Sequence, residues 1–68
     1  MKVTAYATRS DGWWSVTVPE VDGALTQARS LEEVPGMVAD AVSLLEDVSV
    51  DDVEVTVVQV AAAKAEGL

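Results

Sequence analysis

The side chains able to do chemistry in this chain are carboxylates, a few hydroxyls and little else. Cysteine and histidine are both absent, which removes disulfides, thiolate or imidazole zinc sites and every catalytic arrangement built on those groups. Metal-assisted phosphodiester chemistry needs several carboxylates converging on oxygen-seeking cations. The first segment with strand character holds none, and its inward positions would be Val3, Ala5 and Ala7. Asp11 and Asp22 sit in turn-forming sequence, where turn making explains them without acid–base work. Glu32, Glu33, Glu46, Asp51 and Asp52 are accounted for by placement at helix N-termini or by exposure. Ser30 has no histidine or evident lysine base and reads as a helix cap rather than a nucleophile. Gly12, Gly23 and Gly36 lack phosphate-loop spacing. No catalytic residue, metal site or cofactor is expected, and the chain reads as a non-enzyme.

What remains is binding, and charge narrows the partner. Twelve Asp plus Glu against four Lys plus Arg give a formal net charge of -8, spread along the sequence with no single acidic tail. Such a surface repels phosphate backbones, because nucleic-acid affinity comes largely from cationic side chains that release counterions. Direct nucleic-acid binding by this segment is therefore not expected. The charge suits a basic protein partner, whose encounter rate it would raise, but taken alone it is better explained as a soluble, non-sticky surface. The opening residues Met1 to Tyr6 alternate polar with apolar, unlike a secretory signal. No apolar run approaches the roughly 20 residues of a membrane span. The default expectation is a cytoplasmic protein without membrane contact.

The elements that must position any binding surface follow from periodicity. Residues 2–8 alternate, with Val3, Ala5 and Ala7 on one side and Thr4, Tyr6 and Thr8 on the other, as a half-buried strand does. Asp11-Gly12 between two strand-like runs predicts a hairpin. The second strand, 13–18, then turns Trp14, Val16 and Val18 to the core and Trp13, Ser15 and Thr17 away from it. Pro19 ends that strand, Asp22-Gly23 makes a second turn, and 24–28 form a short third strand.

Ser30 and Glu33 fit a capping box in which the serine oxygen accepts from the Glu33 N–H and the glutamate reaches back to the Ser30 N–H. Leu31, Val34, Val38, Ala41, Val42 and Leu45 follow at helical spacing, an amphipathic helix of about four turns. Pro35, at the fifth helical position, would remove the bond to the Leu31 carbonyl, so a distorted or 3₁₀ first turn is expected, recovering by Met37. A last strand spans 52–60, with valine on both faces near its end. Residues 61–68 read as a helical stub or linker, leaving 1–60 as the one domain.

This β-β-β-α-β order predicts an α+β fold. Three meandering strands, a right-handed crossover through the helix and a fourth strand beside the first give one mixed sheet of order 3-2-1-4, with the helix on one face. The other face would expose Tyr6, Trp13, Val58 and Val60 among threonines and Ser15, a patch that a small monomer rarely leaves wet. A domain of 68 residues buries only about 60% of its unfolded surface. A homodimer or higher assembly through that face is expected. The plainer alternative is that Trp13 lies flat over Tyr6 as a cross-strand pair.

One stretch is more specific than its parts. Asp11-Gly12-Trp13-Trp14, Val18-Pro19-Glu20, Gly23, Thr26-Gln27-Ala28 and Leu31-Glu32-Glu33 follow one another in an order that resembles the amino-terminal domain of HicB-like antitoxins. The resemblance spans about residues 6–45. It implies a partly opened ribonuclease H-like domain without catalysis of its own, which binds a basic HicA-like toxin and masks its messenger-RNA-cleaving site. Members commonly carry a DNA-binding ribbon-helix-helix or helix-turn-helix segment after this domain. None is legible after residue 60, which leaves two expectations: a piece of a longer protein that carries the DNA-binding segment, or a stand-alone member that neutralises or assembles without reading DNA. Asp11, Glu20, Asp22 and Glu33 are the expected carboxylate contacts to the toxin, and Trp13 the aromatic anchor. The alternative function is a small self-assembling structural or interaction module unrelated to toxins.

Overall fold

The structure, a computed structural model, describes residues 1–60. The expected stub or linker at 61–68 lies outside the described residues. The alternating segments form β1 (Lys2–Ser10), β2 (Trp13–Thr17), β3 (Leu25–Ala28) and β4 (Glu54–Val60). A 3₁₀ turn (Leu31–Glu33) leads into helix α1 (Val34–Glu46), and a second 3₁₀ turn (Val50–Asp52) leads into β4. The four strands make one mixed sheet of order β3-β2-β1-β4, antiparallel except for the parallel β1–β4 pair. With α1 on one face, this is the α+β arrangement that the order of elements predicts.

The hairpin between β1 and β2 is closed by Asp11 at φ 44° and Gly12 at φ 83°, with Ser10 paired to Trp13. Two positive φ values in a two-residue loop are what a type I′ turn requires, and its twist matches that of the flanking strands. A Cβ added at Gly12 would meet no atom within 4 Å, so the glycine is needed for its backbone alone. Gly12→Ala is accordingly expected to destabilise the domain by about 1 kcal/mol through backbone strain, read as a lower urea midpoint at unchanged slope.

The corner after β2 is packed inward. The Val21 N–H donates to the Val18 carbonyl at 3.1 Å, the Ala24 N–H to the Val21 carbonyl at 3.1 Å, and the Val18 N–H to the Ala24 carbonyl at 3.2 Å. These bonds close the loop and bury Val21, a core residue that strand and helix periodicity did not single out.

The helix start differs from the capping box in a way its geometry explains. The Glu33 N–H donates to the backbone carbonyl of Ser30 at 3.2 Å, and the serine side chain makes no cap bond. Glu33 Oε1 accepts from the N–H of Arg29 at 3.1 Å, one residue earlier than expected. The 3₁₀ turn also changes the place of Pro35. The Leu31 carbonyl accepts from the Val34 N–H, and α1 begins afresh at Val34, which puts the proline in a first turn where a missing N–H breaks no bond. The expected 3₁₀ turn is present, but the expected loss at Pro35 is not.

The core is built from small side chains. β1 contributes Val3, Ala5 and Ala7; β2 Trp14 and Val16; the corner Val18, Val21 and Ala24; β3 Ala28; the helix Val34, Val38, Ala39 and Val42. Every one except Trp14 is valine or alanine. Leu45 falls on the helical stripe, yet the core's last helical member is Val42, and Leu45 one turn on remains 51% exposed.

Candidate binding surface

Strand alternation turns Tyr6, Thr8, Trp13, Ser15, Thr17, Leu25, Gln27, Thr56, Val58 and Val60 to the face away from α1. Pairing then sets them in rows. Leu25, Thr17, Tyr6 and Val58 lie side by side across all four strands, and Gln27, Ser15, Thr8 and Val60 form the next row. Tyr6, Trp13, Leu25, Val58 and Val60 are all exposed, Leu25 most of all at 71%. Leu25 was missed in the sequence, because its side depends on the β2–β3 register, which no local period reveals.

Among the described residues this face carries no charge between its ends. Lys2 and Glu54 form the row at one end, and Arg29 closes the other. The groove along β2 and β3, lined by Ser15, Thr17, Leu25 and Gln27 among others, likewise holds no ionisable side chain.

The tryptophan doublet divides across the sheet. Trp14 faces the helix layer with the Arg9 guanidinium 5.5 Å from its ring, and Trp13 faces the open side with that of Arg29 at 5.1 Å. Both distances are within cation–π range. Tyr6 pairs with Thr17 and Trp13 with Ser10, so the two aromatics stand about 13 Å apart along the strands. The alternative in which Trp13 lies over Tyr6 is thereby removed, since register separates them by two rows. Arg29, which the sequence did not mark, continues the β3 alternation past Gln27 onto the open side.

The carboxylates expected to meet a partner fall in two groups. Asp11 lies in the hairpin turn, and Glu20 and Asp22 lie in the corner at the other end of β2. Glu33 is tied to the Arg29 N–H, near the hairpin end. Both oxygens of Glu20 accept from the Thr4 N–H at 3.1 Å, filling the position on β1 that β2 leaves when it ends at Thr17. That hydrogen bond favours the charged form and holds the Glu20 pKa below the ordinary glutamate value.

Because the folded-state pKa is the lower one, Glu20's contribution to stability is present above the ordinary glutamate pKa. It is lost as pH falls through the lowered value. Glu20→Gln is expected to flatten the acid limb of a melting-temperature profile. An unchanged limb would show that the Thr4 contact is without effect.

Topology also sorts charge. The corner, the C-terminal end of α1 and the turn into β4 gather Glu20, Asp22, Glu46, Asp47, Asp51, Asp52 and Glu54 at one end of the sheet, seven of the chain's twelve acidic residues. Arg9 and Arg29 lie at the opposite, hairpin end with the tryptophans. Among the described residues no three or more carboxylates converge as a metal-binding group, and no helix is long and apolar enough to cross a membrane. Comparison with protein-family models, curated proteins and solved structures found no match.

Proposed function

We propose that this chain is an antitoxin-type binding protein that docks on a basic, HicA-like messenger-RNA-cleaving toxin and excludes its substrate by occupancy and charge competition. The observation that carries this reading is the uncharged, aromatic and aliphatic sheet face, bordered at one end by seven carboxylates. The apolar rows supply area to be desolvated, and the carboxylate end steers a cationic partner toward it. The sheet order and the single helix agree with the domain that the resemblance implies. A toxin of double-stranded-RNA-binding type presents lysines where messenger RNA would lie, and those are the charges this end would meet.

The test is co-purification with a HicA-like toxin, sought first in the gene next to the one that encodes this chain, at rising salt. Trp13→Ala is expected to weaken the complex about 30-fold, as loss of an aromatic anchor does, while leaving the fold intact. Asp22→Lys is expected to slow association and reduce its salt dependence. Full-strength binding by both variants would refute this docking surface. A chain that serves only as a self-assembling module would elute unchanged in the toxin's presence.

A further inference from the structure

We infer that β4 is the seam of a two-fold dimer, in which the β4 strands of two copies pair antiparallel about Val57 and join their sheets into one. This does not rest on the toxin-binding reading, and it places the contact on the sheet edge rather than on the open face.

The two edges of the sheet differ. β3 is four residues long, whereas β4 runs for seven, and from Val55 to Val60 it has no charge, proline or glycine. Edge strands usually carry such residues because unpaired N–H and C=O groups invite another strand. Here a chain of net charge -8 leaves its longer edge unpaired among the described residues.

The backbone pattern is self-complementary. The Glu54 N–H donates to the Met1 carbonyl at 2.7 Å, so even-numbered β4 residues bond inward to β1. Strand alternation then turns the N–H and C=O of Val55, Val57 and Gln59 outward. A two-fold axis at Val57 sets Val57 against itself and Val55 against Gln59 of the second copy, each pair able to exchange both bonds.

Side chains and charge agree with that register. Val55 and Val57 face the helix layer and pack on the core, yet both stay only partly buried, with no strand beyond them among the described residues. The second copy's β4 supplies one. Glu54 of each copy falls opposite Val60 of the other, which keeps the two Glu54 carboxylates about 20 Å apart, beyond the screening length at physiological salt. An axis perpendicular to the sheet leaves both helices on one side and both open faces free on the other.

The test begins with light scattering of the full chain across a dilution series, in which a dimer should dissociate on dilution. Gln59 is exposed and its N–H points outward, so Gln59→Pro keeps the β1–β4 ladder. It is expected to raise the dimer dissociation constant at least about tenfold with an unchanged circular dichroism spectrum. The chain has no cysteine, so Val57→Cys can only bridge to its own copy, and the roughly 5.5 Å Cα separation of a hydrogen-bonded antiparallel pair suits a disulfide. Oxidation should give a covalent dimer, and Ser15→Cys should not. A wild-type chain that stays monomeric throughout overturns the inference. So does a dimer that Tyr6→Glu splits and Gln59→Pro does not, since that contact would lie on the open face. Gln59→Pro should leave toxin capture intact, so the two readings fail separately.

Discussion

Trp14→Ala is expected to unfold this domain, and Trp13→Ala to leave it folded, although the two residues are adjacent in sequence. Trp14 is 7% exposed and is the one core side chain larger than valine, so its removal leaves a void that alanines and valines cannot collapse to fill. Such truncations cost about 3–5 kcal/mol. A domain this small has a total stability near the lower end of the usual range, about 5 kcal/mol. Trp13 is 42% exposed, and beyond modest area it loses only the Arg29 contact, worth about 0.5–1 kcal/mol at an exposed site. Each variant keeps one tryptophan as a fluorescence reporter. Thermal unfolding of the pair should give no cooperative transition for Trp14→Ala and a near wild-type midpoint for Trp13→Ala. Equal midpoints would contradict the division of the doublet across the sheet.

Val38→Asp is expected to be nearly as damaging, and its damage should depend on pH. Val38 is 1% exposed, in the middle of the stripe that α1 presses on the sheet, and no buried polar or charged residue lies among the described residues to pair with a carboxylate there. At neutral pH the cost should be about 3 kcal/mol or more. Burial raises the pKa of a folded-state aspartate above its unfolded value of about 3.9, so the folded state then binds more protons than the unfolded one at intermediate pH. Stability therefore falls as pH rises through that interval and is regained as pH falls. Val38→Asn removes the titration and keeps the polarity. The two variants should differ most near pH 7 and converge in acid. Glu20 titrates equally in both, so its acid limb cancels from the difference. Both should be compared at one protein concentration, since a dimer through β4 makes melting temperature concentration-dependent.

Much of the fold was legible because it rests on local periods. The alternation of Val3, Ala5 and Ala7 and of Trp14 and Val16 set the core side of β1 and β2, and Asp11-Gly12 set the turn between them. Right-handed crossover then left a single simple place for β4. The helix start was read less well. A capping box is a sequence pattern, whereas the choice between the Ser30 hydroxyl and the Ser30 carbonyl depends on whether the first turn is α or 3₁₀. The same choice decided that Pro35 is harmless.

The candidate surface was legible only in part. Tyr6, Trp13, Val58 and Val60 were read on one face, where alternation puts them. Leu25 and Arg29 joined them only through the pairing of β2 with β3, which sets Arg29 over Trp13, while the pairing of β1 with β2 keeps Tyr6 away from it. The carboxylates moved furthest from expectation, since Glu20 and Glu33 are held by backbone N–H groups of Thr4 and Arg29.

By itself the sequence determined that this chain lacks histidine and cysteine chemistry, carries net charge -8, and alternates so as to give three strands, a helix and a fourth strand. Those properties belong to composition or to neighbours a few residues apart. Tertiary structure alone decided that carboxylates scattered from residue 20 to residue 54 collect at one end of the sheet and that, among the described residues, the open face between the ends is uncharged and β4 is an unpaired edge. The physical reason is that such arrangements depend on which strands lie side by side and in what register, and pairing between distant segments has no local period to announce it.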